Sequence, residues 1–476
     1  MVQAYHAVPV SVEYEDADNG RPTDHEGSAL LGSGTSGVGI AKSEVQKEGH
    51  ATLTSSVGNL ANTIIGSGML TFPRALASSG IIPGMLTCAF CGAVSAFSLY
   101  LLSTCGRHAP HRRSSFFAIA TLTFPRAAVF FDAAIAIKCF GVSISYLIII
   151  KSLLPNVVAS LYHDLSSPDT NPPAWALSGR IWISLVMVVL VPLSYLRRLD
   201  SLRHTSYIAL FSCAYLVLIV VLCYFRPIEG MTPPGEVHLI KFTPSFLSTF
   251  PIQVFAFTCA QNLFPIYNEL KSNSQKRMNI VIGTAIGSTT LTYEIIAVFG
   301  YLTFGSHVSA NIIAMYPSTS LFIAVGQLAI AILVIFSYPL QVHPCRNCLD
   351  KVFHFESAND KLDDEAVADE HVAGELTPLK HTLLTAAVVG GGFTIAYFVD
   401  NLEMVLSFVG ATGSTTISFI LPGLLYWKLT KDDPNKNKLL NLSALVLAGY
   451  GSLILVFCLS YNIYNVVHPA IGNGLA

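Results

Sequence analysis

Asn62, Ile65, Gly66, Ser67 and Gly68 stand at the centre of NLANTIIGSGMLTFPRALASSG, Asn59 to Gly80, a run otherwise apolar enough to stay in lipid. A helix broken at membrane depth must place its unwound backbone inside protein or along a cavity, because lipid satisfies no N–H or C=O group. The break also turns a half-helix N-terminus toward that cavity. Its free N–H groups and positive dipole end suit an anion such as a carboxylate. A second polar cluster, Thr258, Cys259, Gln261 and Asn262, interrupts FPIQVFAFTCAQNLFPIYNEL, Phe250 to Leu270, and Pro265 leaves the carbonyl of Gln261 without its helical donor.

Asp132, Lys138 and Glu294 are ionisable residues within the interior of apolar stretches. A charge at the bilayer centre costs about 2.5–3.5 kcal/mol on the insertion scale, so such residues face the protein interior, pair or serve function. Glu294, in STTLTYEIIAVFGY, offers a carboxyl able to release and rebind a proton. Lys138 could pair with Glu294, donate to backbone carbonyls or take part in ion coupling. Asp132, near the start of its stretch, is expected to reach the interface. Cys345 and Cys348 form a lone CxxC, and His108 and His111 an HxxH in the basic loop RHAPHRR. Neither supplies enough ligands for zinc, so no metal or cofactor is expected.

Eleven mostly apolar stretches carry these residues, each near the roughly 20 residues that cross a bilayer. They are 53–79, 83–105, 127–153, 179–196, 203–225, 244–267, 279–303, 319–343, 381–400, 403–427 and 439–463. Only 12% of the 476 residues are charged, against about 25% in soluble domains. The fold class is an all-α polytopic membrane protein with eleven transmembrane helices in a domain of 51–466. The interrupted stretches are spans 1 and 6. That spacing fits two inverted repeats of five spans, about 53–225 and 244–427, with broken first members flanking the site and span 11 as an extra helix.

Loops after the even-numbered spans hold 18 Lys or Arg, and the opposite side holds 4 when Lys151 and Arg180 at span ends are included. The excess of positive charge predicts a cytosolic N-terminus and a lumenal or extracellular tail at 467–476. Residues 1–50, polar and acidic, read as a disordered cytosolic tail, and 350–379 as an acidic cytosolic loop. No cleavable signal peptide is evident, so span 1 is expected to direct insertion. In the tail, EGSALL resembles an acidic di-leucine sorting signal, with Glu26, Leu30 and Leu31 presented to an adaptor. Ser114 to Ala127 is apolar but too short to span and is expected at the interface. A net charge of −2 gives no ground for a nucleic-acid partner.

The runs NLANTIIGSGMLTFPRALASSG and FAFTCAQNLFPIYNEL, with IKCFGVSISYLIIIKSLLP in span 3 and GYLTFG before Ser306, resemble the amino acid/auxin permease family. Fungal vacuolar amino acid transporters and sodium-coupled neutral amino acid transporters are the members most similar. The resemblance implies a secondary transporter with the inverted-repeat fold, moving amino acids by alternating access with protons or sodium. The family's span 1 Asn, held to contact cation and substrate, falls on Asn62, and its span 8 hydroxyl partner on Ser337. Where many relatives have a His after the span 6 Cys, this chain has Ala260, so a pH-sensing role for that His does not carry over.

An amino acid would then place its α-carboxylate on the N–H groups around Gly66, Ser67 and Gly68, and its α-ammonium on carbonyls freed in spans 1 and 6. Gly141, Tyr146, Phe257, Thr258 and Gln261 are the expected lining positions. No fixed charge stands within the two interruptions themselves, which favours neutral substrates unless Lys138 intervenes. Protons are the expected coupling ion, with Glu294 as carrier, and sodium on Asn62 and Ser337 is the alternative. A vacuolar or lysosomal membrane is the expected location, the plasma membrane the alternative. An amino-acid-sensing receptor of the same fold is the competing class. An enzyme finds no catalytic cluster, and a channel no filter sequence.

Overall fold

A computed structural model describes residues 49–109, 112, 114–125, 128–165, 172–196, 205–317, 320–353, 377–434 and 437–468. The tail with Glu26, Leu30 and Leu31, most of the acidic loop and the C-terminal residues from 469 lie outside the described residues. Among those described, every regular element is helical, apart from one β-bridge between Ala51 and Leu270.

The stretch expected as span 1 holds α1 (Leu53–Ile64) and α2 (Phe72–Ser79), and the one expected as span 2 is α3 (Ile81–Gly106). A short α4 (Phe116–Thr123) precedes α5 (Ala128–Leu165), α6 (Gly179–Ser194) and α7 (Thr205–Phe225). The stretch expected as span 6 holds α8 (Phe246–Ala256) and α9 (Leu263–Glu269), followed by α10 (Gln275–Phe304), α11 (Leu321–Phe353) and α12 (Pro378–Phe398). The one expected as span 10 runs from α13 (Leu402–Val409) to α14 (Leu421–Thr430), and α15 (Lys438–Val467) ends the described chain. Eight helical stretches among the described residues are long and apolar enough to cross a membrane, and α6 is a shorter apolar helix.

Two helices outrun the sequence reading. The α5 helix continues to Leu165 through Pro155, and α11 continues to Phe353 through Pro344. An internal proline removes one backbone bond, a loss that packed neighbours in a membrane bundle tolerate. Residues 350–353 of the acidic loop are therefore helical, as are 378–379 at the start of α12. Capping marks other boundaries: the Thr52 hydroxyl accepts from Ser55 N, and Asn401 caps α13 through Met404 N. Between α2 and α3 the chain reverses at Gly80, whose φ of +84° lies in the region that favours glycine.

The α5 helix is the most enclosed of the long helices and lies along α11. Small residues bring its other neighbours close. A Cβ on Gly141 would stand 2.1 Å from Val409 Cγ2, and one on Gly413 would stand 2.6 Å from the Ala134 carbonyl. Between α13 and α14 the backbone takes two π turns, Gly410–Ser414 and Thr416–Ile420, a geometry that recurs near functional sites. The α4 helix is docked onto the bundle, with Ile119 and Ala120 fully buried and the Phe116 ring edge-on to Phe264.

Candidate functional site

The helical course of span 1 stops at Ile64 because Gly66 is extended (φ −162°, ψ −157°), and a 3-10 turn over Ser67–Thr71 leads into α2. The N–H groups of Gly66, Ser67 and Gly68 find no acceptor among the described residues. Such orphaned donors at the start of a helical segment form an anion cradle. The two glycines differ in what surrounds them. A Cβ on Gly68 would meet Ala256 Cβ at 2.7 Å, so this position allows α8 to approach the break, whereas a Cβ on Gly66 would meet only the Ile64 carbonyl, at 3.9 Å.

Span 6 is interrupted at the same level. The α8 helix ends at Ala256, and a 3-10 turn over Ala260–Asn262 leads into α9. Two contacts join the breaks. Asn262 Nδ2 donates to Thr63 Oγ1 at 2.8 Å, and the Tyr293 hydroxyl of α10 donates to the Ile64 carbonyl at 2.7 Å while lying 3.3 Å from the Ala256 carbonyl. Tyr293 is fully buried and stacks on Phe72, with ring centres 4.5 Å apart, and edge-on to Phe257. The Phe257 carbonyl accepts from Ser95 Oγ at 3.0 Å. Buried carbonyls need donors, so the freed carbonyls of span 6 at Ala256 and Phe257 are engaged by hydroxyls rather than open to a ligand. The carbonyl end of α1 faces the break as well, with its Ile64 carbonyl accepting from Tyr293.

A cavity of about 60 Å³ lies at this junction, several times the roughly 10–15 Å³ that a single water requires. Of the residues expected at the site, Asn62, Ile65, Gly66, Ser67, Gly68, Tyr146 and Thr258 line it, as do Lys138 and Ser337. Gln341 of α11 joins them, and Val142, Leu333 and Leu340 supply apolar wall. Thr258 Oγ1 accepts from Ser418 Oγ of the second π turn at 3.2 Å.

Four expected residues lie elsewhere. Gly141 serves the contact of α5 with Val409, and Phe257 packs in the aromatic cluster with Phe72 and Tyr293. Gln261, on the second 3-10 turn, is not among the lining residues. Glu294 is half-buried at the edge of α10 between the stripe of exposed Ile280, Gly287 and Leu291 and Cys88 of α3, away from the cavity, because the inward position belongs to Tyr293. Among the described residues no ion pair joins Glu294 to Lys138. Asp132 lies against the Cys348 thiol of α11.

Lys138 is 6% exposed and, among the described residues, is the one charged residue lining the cavity. Other charges hold elements together. Arg74 Nε donates to Glu403 Oε2 at 3.1 Å, and Ser248 Oγ donates to Glu403 Oε1 at 3.1 Å, tying α2, α13 and α8. At the opposite ends of the interrupted spans, Ala51 N donates to the Glu269 carbonyl and Lys271 N to the Ala51 carbonyl, each at 2.9 Å. Lys151 pairs with Asp400 and donates to the carbonyls of Ala396 and Tyr397 at the end of α12. Tyr293 and the Arg74–Glu403 pair were not singled out from sequence. A tyrosine beside Glu294 looks like lipid-facing bulk, and nothing local links residues so far apart in the chain.

The family model described as "Transmembrane amino acid transporter protein" matches residues 49–465. The chain belongs to this family of amino acid transporters. It is similar to Vacuolar amino acid transporter 5 of Schizosaccharomyces pombe, 42% identical over 453 residues that cover 93% of this chain and all of the relative. It is also similar to Vacuolar amino acid transporter 6 of Saccharomyces cerevisiae, 34% identical with 86% and 98% covered. Both are named as transporters, and this family member is a multi-pass membrane transporter of amino acids, not an enzyme. The solved structure of MhsT in complex with L-phenylalanine shares the fold, with a TM-score of 0.52 over 87% of this chain and all of the other, at 12% identity.

Proposed function

We propose that this family member is a proton-coupled secondary transporter working by alternating access at the vacuolar membrane, with its N-terminus in the cytosol and its C-terminus in the lumen. The observation that carries the reading is the cavity at two facing helix interruptions, where unsatisfied N–H groups of Gly66, Ser67 and Gly68 oppose the carbonyl end of α1. A zwitterion matches both ends, its α-carboxylate on the N–H groups and its α-ammonium on the carbonyl side. The chain would cross eleven times, with α1–α2 as one crossing, α8–α9 as another and α6 added to the eight long helices. Spans 1–5 and 6–10 would form the inverted repeats, each opening on a divided helix. The vacuolar location is supported by the names of the relatives.

Protons are favoured over sodium by the charge of Lys138. A sodium ion on Asn62 and Ser337 would share one small cavity with that ammonium. Two like unit charges about 6 Å apart repel by about 3 kcal/mol at an effective dielectric near 20. Sodium is kept as the second reading because Asn62 and Ser337 both line the cavity. For the proton, Glu294 is the proposed carrier, since it adjoins Tyr293 and so has a covalent neighbour holding both breaks. Uptake of a panel of radiolabelled amino acids into proteoliposomes, with a proton gradient, a sodium gradient or neither, tests this. Uptake driven by the proton gradient alone is expected, and uptake indifferent to both gradients would remove the coupled-transport reading.

A further inference from the structure

We infer that the cavity selects amino acids whose side chain carries a carboxylate, and that Lys138 is the residue that recognises it. The inference rests on the proposal that this cavity is the substrate site. The Lys138 side chain is more than nine-tenths buried, lines the cavity and makes no hydrogen bond or ion pair among the described residues. Its position, ten residues from the start of α5, is about 15 Å along the helix axis, too far from the helix end for its ammonium to reach water at the interface. A buried ammonium is held by a carboxylate, a set of carbonyls or a ligand. Lys151, on the same helix, shows the first two solutions together, with Asp400 and two carbonyls as partners.

The carboxylates nearest in sequence or mid-span depth are turned away from it. Asp132 faces Cys348, and Glu294 lies at the edge of α10, away from the cavity. Among the described residues no carboxylate lines the cavity. With a neutral amino acid bound, its α-carboxylate and α-ammonium satisfy the two helix ends and the Lys138 charge stays uncompensated. A dicarboxylic amino acid brings one further negative charge and leaves the filled cavity balanced. Gln341 and Ser337 of α11 offer additional donors to a side-chain carboxylate, and Val142 and Leu340 an apolar surface for its short methylene stem.

The test uses purified full-length protein in proteoliposomes and compares L-glutamate and L-aspartate with their near-isosteric amides, L-glutamine and L-asparagine. The wild type is expected to take up the acids in preference to the amides by about tenfold or more, the range of a charge-assisted hydrogen bond. Lys138→Met, shown to be folded by an unshifted melting temperature, should lose that preference, with uptake of the acids falling to the level of the amides. Equal uptake of acids and amides by the wild type would overturn the inference, as would an unchanged preference in Lys138→Met. Loss of all uptake by a Lys138→Met protein that melts normally would also overturn it, since Lys138 would then serve transport in general. Gly66→Val separates the two levels of the account: if it leaves uptake of every amino acid intact, the cavity assignment itself fails, whereas the outcomes above leave that assignment standing.

Discussion

At the scale of single residues, the site depends on the hydroxyl of Tyr293 and on the missing side chains of Gly66 and Gly68. Tyr293→Phe keeps the stacking on Phe72 and Phe257 but leaves the Ile64 and Ala256 carbonyls, both buried, without that donor. The expected cost is about 1–3 kcal/mol, read as a lowered melting temperature together with weakened transport; an unchanged melt and full transport would show that the hydroxyl is not needed. Gly66 and Gly68 predict opposite failures. Valine at 66 fills the space beside the break, so Gly66→Val should reach the membrane and not transport, while Gly68→Val strikes Ala256 and should fold poorly. Size-exclusion profiles of the two variants distinguish these outcomes. Glu294→Gln should flatten the pH dependence of uptake, and an unchanged profile would return Glu294 to a structural role.

At the scale of elements, the interrupted helices are tied at both ends, by Arg74–Glu403–Ser248 at one and by the Ala51–Leu270 pairing at the other. Alternating access requires each tie to open in turn. Arg74→Ala should therefore speed hydrogen exchange in 72–79 and 402–409 relative to the rest of the bundle, and unaltered exchange there would mean that the pair does not restrain opening. Both interruptions are legible in the sequence because Gly-Ser-Gly and Thr-Cys-Ala-Gln-Asn are conspicuous inside apolar runs. Helix rotation is not legible. Lipid is as apolar as the bundle interior, so α10 carries no hydropathic signal to show that Tyr293 turns inward and Glu294 away from the cavity. The same lack of contrast hid the role of Gly141, which packs against Val409, and the continuation of α5 past Pro155.

At the scale of the whole molecule, membership in the amino acid transporter family and the shared fold with the MhsT structure account for the architecture, and loop charge is the basis of the proposed direction of insertion. Protease added to sealed vacuoles should remove an N-terminal epitope and spare a C-terminal one; the reverse pattern would invert the proposed topology. The central claim is that the cavity between the two interruptions is where an amino acid is carried. The most direct measurement is proton-driven uptake of the amino acid panel by wild type and Gly66→Val, reconstituted at equal density from protein that melts alike. The account predicts accumulation by the wild type and none by the variant. Equal accumulation by both would contradict it, because a side chain placed in the carrier's binding cavity cannot be without consequence.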